Sequence, residues 1–202
     1  MLLTWIRKLF NREIEIPKLV GMFLDIETLG TKVTSQVLSI GVVVGDLSTG
    51  EVLDRIQINL SVAEQSNRTV DAATVHFWHE VRFANQKVWY LNTKNSITDL
   101  VSGLNQLDDF MLKWSGSSVW GNGPEFDQAI VKHLYEQYGK TIPWEFRDNQ
   151  SVRTMVLLGR LIGIDPKYDT ALSRNLLKHV AVDDAELEFI YCSIIYRKLL
   201  SR

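Results

Sequence analysis

Five residues scattered along the chain have the types and spacing to do chemistry together: Asp25, Glu27, Asp127, His179 and Asp184. The first two lie in Met22–Gly30, MFLDIETLG. Met22, Phe23 and Leu24 form an apolar run without alternation, as in a strand covered on both faces. Side chains two apart on a strand share a face, so Asp25 and Glu27 project together. Two carboxylates on one face at the end of a buried strand repel each other and lose hydration. Such a pair persists if one carboxyl is protonated or if a cation sits between them. Oxygen donors select a hard cation, Mg2+ or Mn2+. The competing reading is a chance Asp-x-Glu on a solvated edge or turn.

Asp127 follows a short apolar run, Ser118–Gly121, and a Gly-Asn-Gly-Pro turn, near the first turn of a predicted helix. It could simply complement the helix dipole, although Glu125 already offers that. His179 and Asp184 are five residues apart. On one continuous helix they would point to different faces. With His179 on a loop and Asp184 in the first helical turn, both can face one cavity. Either of Asp183 and Asp184 can cap the helix while the other serves as a ligand.

The elements that must position these residues are legible from periodicity. Val37–Val44 is a β-branched run and Glu51–Leu60 alternates apolar with polar, with turn residues Gly45–Gly50 between them. These predict an antiparallel meander that begins with the carboxylate strand. Ser61–Val70 reads as a loop, and Asp71 can cap a helix containing Ala72–Trp78. Helical spacing is predicted from about Ser96 to Trp114, over Glu125–Tyr138, over Ser151–Gly163 and from about Asp183 to Leu200. Ile142–Arg147 is either a short strand or irregular, and Asp165–Ala171 is a loop. Helices alternating with strands after the meander point to an α/β domain with a mixed sheet.

Composition narrows the function classes. The chain has 202 residues and a net charge of −2, which excludes a basic protein that coats nucleic acid. No apolar run is long enough for a membrane span. The single cysteine, Cys192, lies inside an apolar helical pattern, so there is no disulfide framework and a reducing cytoplasm is expected. Residues 1–20 read as an N-terminal extension. Leu2, Leu3, Ile6, Leu9 and Phe10 recur at helical spacing, for packing on the domain, on a neighbouring subunit, or on a membrane surface or partner.

In order, context and separation, MFLDIETLG at 22–30, WGNGPEFD at 120–127 and HVAVDDA at 179–185 resemble the three motifs of the DnaQ-like (DEDDh) 3'-5' exonucleases. The strand-turn WGNGPEFD, with SVRT at 151–154 and TVHFW at 74–78, most resembles a small group of phage-type and bacterial members. The resemblance covers roughly residues 21–197 and implies one exonuclease domain over 21–202. It implies a ribonuclease H-like α/β fold, a five-stranded mixed β-sheet flanked by helices on both faces. It also implies two metal ions, Mg2+ or Mn2+, about 3.5–4 Å apart. Asp25 would bridge them, Glu27 and Asp184 would bind one, and Asp127 would support the other. His179 would be the general base, with a pKa raised by nearby carboxylates and opposed by the metals. Thr28 and Leu29 would meet the terminal nucleotide. Phe126 or Trp78 would add stacking unless they are core residues, and Asn122 and Arg153 could touch the strand. The expected partner is the 3' end of a single-stranded nucleic acid, cut to nucleoside 5'-monophosphates. DNA is slightly favoured and RNA is the alternative. A non-catalytic binding subunit, an endonuclease and a homo-oligomer remain open.

Overall fold

The computed structural model describes residues 19–80, 97–165 and 175–201. The expected N-terminal helix, all but the first residue of the loop predicted over Asp165–Ala171, and the start of the helical pattern at Ser96 lie outside these residues.

Strands β1 (Val20–Thr28), β2 (Val37–Asp46) and β3 (Glu51–Leu60) form the expected antiparallel meander. The register sets Asp25 opposite Gly41 and Glu27 opposite Ser39. Strand β4 (Ile97–Thr98) pairs parallel with β3. Strand β5 (Ser118–Gly121) pairs parallel with β1, and β6 (Asn149–Ser151) pairs parallel with β5. The sheet order is β4-β3-β2-β1-β5-β6. Five of these strands, β3-β2-β1-β5-β6, make the expected mixed sheet, and the two-residue β4 adds a sixth at one edge. β1 lies inside the sheet, and its C-terminal end shares an edge with that of β5.

The described residues also form five α-helices, α1 (Ala72–Glu80), α2 (Leu100–Leu112), α3 (Asp127–Gln137), α4 (Val152–Leu161) and α5 (Ala181–Leu200), and two single-turn 3-10 helices. Their ends follow local chemistry. Asp71 Oδ1 accepts from the Ala73 amide (2.7 Å), and Asp99 and Ser151 accept from the N3 amides of α2 and α4. Gly163, at φ +82, takes the left-handed conformation just beyond α4 that commonly ends a helix.

Alternation along β1 splits the core between two layers. Met22, Leu24 and Ile26 pack with Ile40, Val42 and Val44 beneath α2 and α3. Phe23, Val43 and Trp120 pack on the other face beneath α4 and α5. Asp25 and Glu27 continue the second face, toward the start of α5. Gly41 of β2 makes this close approach possible. A Cβ there would collide with the backbone of Ala181 and Val182, and one at Gly45 would collide with the Phe189 ring. Gln57 of β3 fixes the same end of α5, its Oε1 accepting from the Val182 amide (2.9 Å).

Candidate active site

Three elements bring the five predicted residues to one sheet edge. Asp25 and Glu27 come from the end of β1, Asp127 opens α3 just past β5, and His179 and Asp184 flank the start of α5. A carboxylate oxygen of Glu27, one of Asp184 and a ring nitrogen of His179 lie within 4.8 Å of one another. Asp25 and Asp127 stand outside that triangle but their charges bear on it. Burial, then repulsion from Asp127, Glu27, Glu188 and Asp184, holds the Asp25 carboxyl well above the usual carboxylate range. Burial, Asp184 and Asp127 do the same to Glu27.

Asp127 is pushed up to about 7, chiefly by burial and in spite of backbone hydrogen bonds with Gly123, Ile26 and Asn122 that favour its charged form. Asp127 Oδ2 is buried and has no hydrogen-bond partner among the described residues. Asp184 is pushed up to about 6 by burial, against the stabilising His179 amide and Lys178.

His179 has φ +66, a left-handed conformation uncommon outside glycine though less so for histidine. Its backbone amide donates to Asp184 Oδ2 at 2.7 Å, so the strained residue and the carboxylate are locked together. Its ring meets the edges of Phe77 and Trp78 at centroid distances of 5.2 and 6.1 Å. Burial and then Lys178 lower its pKa. This corrects the expectation that nearby carboxylates raise it, because lost hydration and the Lys178 charge dominate.

The neighbouring Asp183 is engaged elsewhere. Its Oδ1 pairs with Arg55 at 2.8 Å and its Oδ2 accepts from the Leu177 amide at 2.9 Å. Geometry thus separates a framework aspartate from one that faces the centre.

The expected nucleotide contacts fare less well. Trp78 is 1% exposed, and its indole N–H donates to the Thr28 carbonyl at 3.0 Å. It supports the end of β1 and has no open face for a base, which corrects the stacking role. Leu29 is buried with Leu38 and Trp78, so its apolar area is spent in the core, where a wedge against a base would need it at the surface. The Thr28 hydroxyl donates to the Gly30 carbonyl at 2.6 Å. Phe126 is partly buried against the core beneath α3. Asn122 stays at the edge, its carbonyl accepting from Arg153 Nε at 3.1 Å, while Arg153 also pairs with Glu125. Arg153 is therefore an internal tie.

Two neighbours of the centre went unread as site residues in the sequence. Phe77 was visible as part of TVHFW, but its contact with His179 depends on how α1 docks. Glu188 had a clearer signal, a charged residue one helical turn after Asp184.

A mixed sheet of this order, with carboxylates from β1, α3 and α5 and a histidine gathered at one edge, has the ribonuclease H-like fold that DEDDh nuclease domains share. The chain belongs to the family of the 3'-5' exoribonuclease Rv2179c-like domain, whose model matches residues 20–196. Among solved structures it is similar to exonuclease I, with a TM-score of 0.66 and 13% identity over 91% of this chain and 44% of that one. The Escherichia coli exonuclease I complex with a dA16 oligonucleotide matches with a TM-score of 0.63 and 12% identity, over 91% and 43% of the two chains. The nuclease domain of 3'hExo, a DEDDh family member bound to rAMP, matches with a TM-score of 0.56 and 13% identity over 92% and 93%. The chain thus spans less than half the length of the exonuclease I chains. No curated protein matches it.

Proposed function

We propose that this protein is a 3'-5' exoribonuclease that removes nucleoside 5'-monophosphates from single-stranded RNA 3' ends with the help of two divalent ions, Mg2+ or Mn2+. The observation that carries this reading is the convergence of Asp25, Glu27, Asp127, Asp184 and His179 on one edge of the sheet. The preference for RNA rests on the family description, which applies to nearly the whole described domain. The exonuclease I likeness speaks for the fold alone.

The residues fit such ions. The carboxylates supply hard oxygen donors, one oxygen of Asp127 is buried without a partner among the described residues, and burial raises all four pKa values. A metal-free centre of this kind is costly, and cations would relieve it. Asp25, Glu27 and Asp184 would hold the ions, with Asp127 supporting the second. When bound, the ions stabilise negative charge on the attacking and leaving oxygens of the phosphodiester.

The protein's own part is positioning and proton transfer. Its lowered pKa keeps His179 neutral at pH 7, so a ring nitrogen can take a proton from the attacking water. The Asp184 contact and the edges of Phe77 and Trp78 hold that ring in place. The terminal nucleotide would lie near the ends of β1 and β5, where Thr28, Leu29 and Asn122 stand.

Matched 5'-labelled single-stranded RNA and DNA, incubated with Mg2+ or Mn2+ and separately with EDTA, test the reading. The expected result is a 3'-to-5' ladder on RNA that vanishes in EDTA and in Asp25→Ala and His179→Ala variants, while a circular strand stays intact. Faster degradation of DNA would reassign the substrate. No ladder on either polymer would overturn the assignment.

A further inference from the structure

Strand β3 turns Ile56, Ile58 and Leu60 into the core beneath α2, and Arg55, Gln57 and Asn59 to the side of the sheet that α5 covers. The register places Gly41 between Asp25 of β1 and Gln57 of β3, in one row across the sheet. Residues directly opposite one another in antiparallel pairs share a face, so Asp25 and Gln57 look out on the same side. Gly41 has no side chain to stand between them, and the backbone of Ala181 and Val182 lies over it. The start of α5 is thus flanked by Asp25 and Gln57. A helix start leaves its first amides without intrahelical partners. Val180, the residue before α5, makes no side-chain cap. Gln57 supplies an acceptor from across the sheet. Its Oε1 accepts from the Val182 amide at 2.9 Å, and its Nε2 donates to Asn59 Oδ1 at 2.9 Å. Val182 lies between His179 and Asp184 in the chain, and the His179 amide donates to Asp184 Oδ2 at 2.7 Å. Held at Val182, the turn carries both residues as one piece. Arg55 meets the same turn only through ion pairs with the side chains of Asp183 and Glu186 at an exposed edge, whereas Gln57 grips its backbone.

We infer that Gln57 is a positioning residue for hydrolysis, holding the first turn of α5 so that His179 and Asp184 meet the carboxylates of β1. The inference rests on the exonuclease reading above and goes beyond it by naming a residue outside the five motif positions. Gln57 acts through the Val182 amide. Without its oxygen that amide loses its acceptor, and the turn can shift over Gly41. A displacement of about 1 Å that starts far from the chemistry can lower a rate about 100-fold. The terminal nucleotide is placed near the ends of β1 and β5, away from β3, so kcat should fall while KM holds.

The test compares Gln57→Met, Gln57→Leu, Gln57→Glu and Ile58→Val with the wild type, all as the full chain. Amide hydrogen exchange in EDTA reads the turn itself, and steady-state assays on the labelled RNA and DNA read its effect. Gln57→Met keeps the length of the side chain and removes the acceptor. It should speed exchange at Val182 and Asp184 while the later turns of α5 keep wild-type rates. Its kcat should fall about 10–100-fold, with KM within about twofold of the wild type. Gln57→Leu gives the same readout if the methionine variant folds poorly. Gln57→Glu keeps an oxygen for the amide and adds a charge that suits a helix N-terminus, so it should recover slow exchange and most of kcat. Ile58→Val trims the core face of the same strand and controls for a general loss of stability, with kcat expected at the wild-type value. Wild-type exchange at Val182 or wild-type kcat in Gln57→Met would overturn the role of Gln57. So would a loss of kcat that Gln57→Glu does not recover, or that Ile58→Val shares. Failure of both Gln57→Met and Gln57→Leu to fold would also overturn it, since Gln57 would then be a requirement of the fold. A wild type that degrades neither polymer would overturn the exonuclease reading instead, and the exchange rates would still decide whether Gln57 holds the turn.

Discussion

Asp183 and Asp184 are neighbours in sequence and opposites in environment. Asp183 binds Arg55, a half-exposed residue, and the Leu177 amide. Asp184 is tied to the His179 amide and faces the carboxylates of β1. Asp183→Asn should therefore cost about 0.2–1 kcal/mol of stability, as exposed ion pairs do, with little change in rate. Asp184→Asn should abolish hydrolysis and leave the fold intact. Thermal melts and single-turnover assays on the two variants check this, and the reverse pattern would exchange their roles. The pH dependence of stability also belongs to single residues. Asp127 and Asp184 rise from an ordinary 3.8 to about 7 and about 6 in the fold. A folded pKa above the unfolded one means the folded state holds the proton more tightly. The stability gained is complete below the unfolded value and is lost as pH rises through the folded value. In EDTA the melting temperature should fall between about pH 4 and pH 7, and Mn2+ should flatten the slope by taking the place of the protons. A metal-free melting temperature that climbs over that window would contradict the burial of these groups.

At the scale of elements, the decisive contact is α5 on the meander. Gly41 lies opposite Asp25, and any side chain there meets the backbone of Ala181 and Val182. Gly41→Ala should push the start of α5 away from β1, costing about 1–3 kcal/mol as overpacking does. It should also reduce kcat far more than that loss of stability would suggest, because His179 and Asp184 ride on the displaced turn. A thermal melt alongside the RNA assay decides, and wild-type kcat in a destabilised variant would show that α5 tolerates the shift. This dependence could not be read from VLSIGVVVGD, where Gly41 looks like one small residue in a buried run. By contrast, β3 and β5 were legible to the residue: alternation marks Glu51–Leu60, and a buried run between turn residues marks Ser118–Gly121. Strand β6 was not, because Asn-Gln-Ser carries no β-branched or alternating signal, and its strand geometry comes from pairing with Val119, Trp120 and Gly121. That the five motif residues meet at one sheet edge was legible from type, order and context. Their neighbours were not, since Trp78 had its aromatic type read as a stacking surface while the fold uses it as a buried prop for Thr28.

At the scale of the whole molecule, charge limits how a strand can be held. The chain carries 22 basic and 24 acidic residues, and its acidic residues include the cluster at the sheet edge. A polyanion is therefore repelled by the metal-free centre, and long-range attraction to a strand body is weak. Affinity must come from the terminal nucleotides and from ions bridging carboxylates to phosphate. Each phosphate neutralised by a Lys or Arg side chain on a single strand contributes a slope of about −0.7 to log K against log salt. With one or two such contacts, the slope of log kcat/KM against log[KCl] should stay near −1. For the same reason KM should change little between an RNA of about five nucleotides and one of about twenty-five, since the added phosphates find few cations to meet. Steady-state assays on the two lengths, at fixed free Mg2+ and varied KCl, measure both quantities. A steep slope, or a KM that drops by orders of magnitude with length, would reveal a basic track for the strand and move the substrate from short 3' ends to long polymers.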